Sequence, residues 1–234
     1  MVATKEKIGI GLSGNQLKII AMLTMLVDHI GVQLFPECII LRIIGRLSLP
    51  IFAYMIAEGC LHTRNRPKYL LLIALLGFGC QIVYYVAMRS LYMGILITFS
   101  LSIVSIYSVD LFLKRKNVLS GVVMSVTLAA VVFACVVAPV LWVGHGFHVD
   151  YGLGGVLMPV LAYYAKNRLW KLACIGFALL ITVYSLGAIQ WYAFLALPLL
   201  ALYNGTRGKW KLKYVFYIFY PVHLGILYLI SLWM

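Results

Sequence analysis

Residues 25–33 read MLVDHIGVQ, an aspartate and a histidine side by side in an otherwise apolar run. A histidine can take a proton from a nucleophile near neutral pH. A neighbouring carboxylate can stabilise the charged ring. Adjacent residues on a helix point about 100° apart, so Asp28 need not touch the His29 ring and could instead hold Arg42 or Arg46. Those two arginines stand four residues apart, on one helical face. Such a group is either an ion pair joining helices or the lining of a polar cavity. A buried pair is often no more stabilising than an apolar replacement, so stability alone is a poor reason to keep it. In a cavity, His29 would act as base and a fixed guanidinium would face a developing oxyanion.

Further residues could join this chemistry. His223 stands in YVFYIFYPVHLG, two places after Pro221, which frees a backbone carbonyl and bends a spanning helix. It reads as a cavity wall or as an interhelical hydrogen bond. The stretch GHGFHVDYGLGG brings His145, His148, Asp150 and Tyr151 close in sequence. Its spacing matches no zinc motif, so a gating loop or contact with an acceptor substrate is the better use, and no metal is expected.

These residues need a scaffold, and the composition restricts it. The chain has 234 residues, 64% of them hydrophobic and 11% charged, with a mean hydropathy of +1.02. So few charges cannot cover a domain in water. A membrane span takes roughly 20 mostly apolar residues. Apolar runs fall at about 17–35, 39–61, 69–88, 92–113, 118–141, 151–165, 169–186, 189–203 and 214–233. The expectation is an all-α, polytopic transmembrane bundle of about nine spans, forming a single integral-membrane domain over 17–234 after a polar cytoplasmic tail over 1–16. That tail lacks the apolar core of a cleaved leader. The runs at 151–165 and 189–203 are short, which suggests tilting, breaks or shielding by neighbours.

The net charge of +13 does not indicate nucleic acid, because the basic residues lie in short clusters between apolar runs. One alternate set of connections holds Lys5, Lys7 and Lys18, then Arg64, Arg66 and Lys68, then Lys114, Arg115 and Lys116, then Lys166, Arg168 and Lys171, then Arg207, Lys209, Lys211 and Lys213. The other set holds only Arg89 outside the runs. Positive-inside bias then gives a cytoplasmic N-terminus and an external C-terminus. Asp28, His29, Arg42 and Arg46 fall towards the outer side, and Glu58 towards the inner. The basic clusters serve topology and anionic-lipid contact. Arg64, Asn65, Arg66 and Lys68, with Asn204 and Arg207, could also clamp the phosphates of a soluble donor. The five cysteines follow no disulfide or metal spacing and read as small apolar side chains. No nucleotide-binding glycine loop, serine elbow or inverted repeat stands out.

Four blocks carry a resemblance: LKIIAMLTMLVDHIGVQLFP, RIIGRLSLPIFAYMIAEGCLHTRNRPKYL, DYGLGGVLMPVLAYY and LYNGTRG followed by KYVFYIFYPVHLGILYLI. In order and form they resemble the TraX family, from about residue 17 to the end of the chain. Its namesake acetylates the N-terminus of pilin, and the family is similar to the larger group of integral-membrane acyltransferases. The resemblance implies acetyl-CoA as co-substrate, with His29 as catalytic base or acyl carrier. Lys18 would take the place of that group's arginine eleven residues earlier. On an acyl-transfer reading in a bacterial inner membrane, Asp28, Arg42, Arg46 and His223 would stand around the chemistry, Glu58 with the inner cations on the coenzyme side, and His148, Asp150, Tyr151 and Tyr220 on the acceptor side. The acceptor is left open between a peptide N-terminus, a sugar and a lipid head group, and a homo-oligomer is possible. A proton-coupled transporter or flippase-like carrier is the alternative, its relay built from the same intramembrane charges.

Overall fold

The computed structural model describes residues 11–210 and 213–233. Its helices are α1 (Gly14–Gln33), α2 (Ile39–Gly45), α3 (Ser48–His62), α4 (Arg66–Met88), α5 (Ile95–Arg115), α6 (Val118–Val132), α7 (Ala138–Leu141), α8 (Gly152–Tyr164), α9 (Arg168–Leu186), α10 (Ala196–Ala201) and α11 (Lys213–Ser231). Two short strands, β1 (Tyr92–Met93) and β2 (His148–Val149), pair in parallel. Each of the nine apolar runs is helical. By length and hydropathy, five helical stretches are able to cross a membrane: 39–62, 66–88, 95–115, 118–141 and 168–186.

Proline chemistry accounts for the interruptions. The second run, expected as one helix, is broken at Arg46 and Leu47 into α2 and α3. Pro50 has no amide hydrogen, and its ring displaces the carbonyl four residues back, at Arg46. The Ser48 hydroxyl donates to the Gly45 carbonyl at 2.8 Å, binding part of the opened turn. Pro139 has the same effect on the fifth run, where Phe133–Val137 widens into a π-helical turn between α6 and α7.

The two short runs are built differently. Helix α8 is shielded, with Gly152, Gly154, Gly155, Val156, Met158, Pro159 and Ala162 buried against α3, α5 and α9. The run before α10 is drawn out as a 3-10 helix over Ala188–Leu195. At ~2.0 Å per residue, with α10 at ~1.5 Å, the pair reaches roughly 25 Å.

Helix α3 is the axis of the bundle. Its residues from Ser48 to Ala57 are nearly all buried, among Leu17 and Ala21 of α1, Ile103 and Ile106 of α5, Met158 of α8, Leu179 of α9 and Leu200 of α10. Helix α4 lies at the rim and exposes Leu71, Leu75, Phe78, Ile82 and Val86. A stripe that apolar is untenable against water and is the natural exterior against lipid.

The start of α1 is tied to the loop before α11. Leu12 bridges to Tyr203, and the Gly14 and Asn15 amides donate to the Thr206 and Arg207 carbonyls at 2.8 and 3.0 Å. Helices α1 and α11 therefore rise from the same end of the bundle, and α11 finishes at the other. The connections α3–α4, α5–α6, α8–α9 and α10–α11 share the starting end and, with the helix turns beside them, carry 13 of the 19 basic residues.

Helix α8 packs most extensively on α9. A side chain at Gly154 would meet the Thr182 amide nitrogen at 3.0 Å and the Ala178 carbonyl oxygen at 3.1 Å. Gly79, with nothing within 4 Å, is a matched control. Gly154→Val should cost about 1–3 kcal/mol, read as a lowered melting temperature in detergent, while Gly79→Val does not lower it.

Candidate active site

Asp28 lies on the side of α1 that faces α2, and its carboxylate bridges two guanidiniums. Arg46 Nη2 donates to Oδ1 at 2.5 Å and Arg42 Nη1 approaches Oδ2 at 3.2 Å. The sequence left a choice between the arginines, and the fold uses both. Arg46 is 4% exposed at its side chain and Arg42 27%. Two neighbours allow the close approach: a side chain at Gly45 would overlap the Asp28 carboxylate, and one at Gly31 would meet Leu41. Arg46 also donates to the Arg42 carbonyl at 3.2 Å and to the Tyr151 hydroxyl at 3.2 Å.

Tyr151 belongs to a pinned turn. Its φ is +57°, a left-handed conformation uncommon for a bulky residue. The Asp150 carbonyl accepts from the Thr98 hydroxyl at 2.8 Å, and its carboxylate from the Tyr92 hydroxyl at 2.6 Å. Burial pushes the Asp150 carboxyl up to about 6, against the opposing pull of the Tyr92 hydrogen bond and the Arg46 charge. His148 stacks on Tyr92 at 6.1 Å, and burial lowers its pKa. Tyr220 reaches towards Gly94, at the start of α5. The acceptor-side residues of the sequence analysis therefore gather around the buried ion cluster.

His29 does not bond Asp28, in keeping with the angle between adjacent residues. It faces α11, where its Nδ1 lies 2.9 Å from His223 Nε2. His223 is 4% exposed, and its Nδ1 lies 2.7 Å from the Phe219 carbonyl oxygen. That contact fixes the tautomers of the neutral pair. A carbonyl only accepts, so His223 Nδ1 carries the proton and its Nε2 is a lone pair. That lone pair accepts from His29 Nδ1–H, which leaves His29 Nε2 unprotonated and able to take a proton. The two clearest surface hollows lie elsewhere. One of about 450 Å³ is bordered by Asn167, Arg168, Leu169, Leu172 and Ala201, and one of about 380 Å³ by Leu91, Met93, Trp142, His145 and Phe147. Neither touches His29.

At the basic end, several residues expected to hold a coenzyme have other partners. The Glu58 carboxylate accepts from Lys171 Nζ at 2.5 Å, approaches His62 at 3.4 Å and accepts from the Tyr203 hydroxyl at 3.5 Å. Asn65 caps α4 by accepting from the Lys68 amide. Arg66 pairs with Asp110 at 2.7 Å, and Tyr163 and Tyr164 also donate to that carboxylate. Asn204 holds its own loop through Gly11 and Thr206. Arg64, Lys68 and Arg207 are exposed and form no ion pair among the described residues, while Lys18 lies over the Phe216 ring at 5.3 Å. Asp110, Lys171 and Tyr92 were not anticipated. Asp110 did carry a signal, as the sole acid in its apolar run. No group of three or more potential metal ligands occurs among the described residues.

The helices and this buried, charged, histidine-bearing cluster define a multi-pass membrane protein. The chain belongs to the TraX family, whose profile, described as TraX protein, matches residues 13–231. It is 30% identical to the probable fimbrial assembly protein FimC, serogroup H1, of Dichelobacter nodosus, over 93% of this chain and 95% of that relative. Over 38 residues it is 50% identical to an uncharacterised protein of Rickettsia prowazekii, a match covering 16% of this chain. No solved structure matches the chain.

Removing Asp28 strands the Arg46 guanidinium away from water, which costs about 3–5 kcal/mol for a buried partner. Asp28→Asn and Arg46→Met should each lower the melting temperature in detergent strongly. The double variant should lose clearly less than the sum, as direct coupling requires. Arg42→Met, at the more exposed arm, should cost less than Arg46→Met.

Proposed function

We propose that the protein is a membrane-embedded acyltransferase that moves an acetyl group from cytoplasmic acetyl-CoA to an amine or hydroxyl at the outer side of the bacterial inner membrane. The observation that carries this reading is the chain from the Phe219 carbonyl through His223 to His29, which leaves a lone pair on His29 Nε2. It is the arrangement of a general base held in one tautomer by a second group. Family membership supports the reading, as does the relative whose name assigns it to fimbrial assembly. That name favours an exported protein subunit as acceptor.

In the proposed reaction His29 Nε2 takes the acceptor's proton as its nitrogen or oxygen bonds to the acetyl carbonyl carbon. The carbon–sulfur bond then breaks, and the leaving thiolate recovers the proton from His29 to give free coenzyme A thiol. Arg42, the more exposed arm of the ion cluster, stabilises the oxyanion of the tetrahedral intermediate. His223 accepts from His29 Nδ1 throughout, and so steadies the imidazolium. Lys18, Arg64, Lys68 and Arg207 remain for the coenzyme phosphates at the basic end. Helix α11 packs chiefly on α1, so its displacement is the simplest way to open a path for the thioester to His29.

His29→Ala should lower acetyl transfer by about 10²–10⁴-fold, the usual contribution of a positioned base, with the protein still folded and inserted and its melting temperature lowered only by the partner lost to the buried His223 Nε2. Wild-type turnover in that variant would rule out the assignment. A proton-coupled carrier would instead show no binding or hydrolysis of acetyl-CoA. Orientation has its own test, because Cys38 is exposed in the connection between α1 and α2. A membrane-impermeant maleimide should label it in intact spheroplasts and fail to label Cys38→Ser. Labelling that appears only after permeabilisation would invert the topology.

A further inference from the structure

Among the described residues, the carboxamides of Gln33, Gln81 and Gln190 form no hydrogen bond with the protein, although Gln33 Oε1, Gln81 Nε2 and Gln190 Oε1 are buried. A buried polar atom without a partner costs free energy, and in a native fold it calls for an explanation. Gln33 has a particular position. It follows His29 by four residues on α1, about 40° further round the helix and ~6 Å further along it. His29 and Gln33 therefore share one face of α1, distinct from the face on which Asp28 meets α2. Gln33 is also the last residue of α1, on the side of His29 away from the basic end, where an acceptor arriving from outside would pass.

We infer that Gln33 is a specificity-determining residue that binds the acceptor substrate beside its nucleophile, its carboxamide oxygen accepting a hydrogen from the acceptor in place of the bond missing in the free protein. The inference rests on the acyl-transfer reading, since it takes His29 as the base. The chemistry it selects is an acceptor with a hydrogen-bond donor within one helical turn of the reacting atom. An amide beside the nucleophile meets that requirement, and an isolated hydroxyl or amine on an alkyl chain does not. The acetyl donor, approaching from the other end, does not contact Gln33.

The unpaired amide gives the test an unusual sign. Gln33→Leu removes a buried group that nothing satisfies, so the substrate-free protein should melt at the same temperature or higher in detergent. A purely structural amide would make the same variant melt lower. Transfer is followed as release of coenzyme A thiol, with glycinamide and glycolamide as amine and hydroxyl probes that carry an adjacent amide, and ethylamine as the probe without one. Gln33→Leu should raise KM about fivefold or more for whichever amide-bearing probe the wild-type protein acetylates, with KM for acetyl-CoA unchanged. KM for ethylamine should not move. Gln33→Asn, which keeps the amide on a shorter arm, should fall between. A lowered melting temperature, or an unchanged acceptor KM, overturns the role of Gln33. If the wild-type protein acetylates no probe and neither binds nor hydrolyses acetyl-CoA, the acyl-transfer reading falls instead, and this inference with it.

Discussion

One carboxylate holds two guanidiniums inside an apolar bundle, and much of the architecture follows from accommodating that contact. Asp28 can reach Arg42 and Arg46 together only because Gly45 leaves space for its carboxylate and Gly31 lets α2 lie close to α1. The break that Pro50 forces between α2 and α3 places Arg46 in a turn, from which its guanidinium also reaches the Arg42 carbonyl and the Tyr151 hydroxyl. Tyr151 in turn is held in a left-handed conformation, an arrangement that persists only where the surroundings over-determine it. Here the surroundings are Arg46, Thr98 and Tyr92, contributed by three separate segments. The ion cluster thus joins α1, α2, β1, α5 and the start of α8.

The basic end is organised by the same rule with different residues. Glu58 on the central helix takes Lys171 from α9, and Asp110 on α5 takes Arg66 from α4 together with two tyrosines from α8. In a low-dielectric setting each acid is paired, because an isolated charge there is expensive. The pairing also sorts the cations. Arg66 and Lys171 are committed to structure, which leaves the exposed Arg64, Lys68 and Arg207 for any anionic ligand. Between the two polar ends, the α1–α11 seam carries Lys18 against Phe216 and His29 against His223, so one helix pair spans the distance from the basic end to the histidines.

Hydropathy and charge in the sequence were sufficient to set out nine helical runs, their alternating basic connections and the membrane class, because each depends on residue type along a short stretch. The ionisable residues within those runs were also legible, since a charge in an apolar run is conspicuous wherever the helix ends up packing. Asp28, His29, Arg42, Arg46 and His223 could be named before any contact was known. The sequence could not decide which of them touch. It left Asp28 free to choose one arginine, when the fold supplies both. It offered Asn65 and Arg66 for phosphates and could not show that one caps a helix and the other meets Asp110, a residue 44 positions later in sequence.

What sequence alone determined, then, is the set of helices and the inventory of polar groups between them, both fixed by local composition and spacing. Only the tertiary structure decided partnership. His29 and His223 are 194 residues apart and meet because α1 and α11 rise from the same end and lie side by side. The tautomer of that pair, and the lone pair it leaves on His29, depend on a backbone carbonyl that no sequence pattern reveals. The physical reason is range. Hydrophobic periodicity acts within one helix, whereas hydrogen bonds and ion pairs across helices depend on distances of about 3 Å that exist only after the bundle has packed.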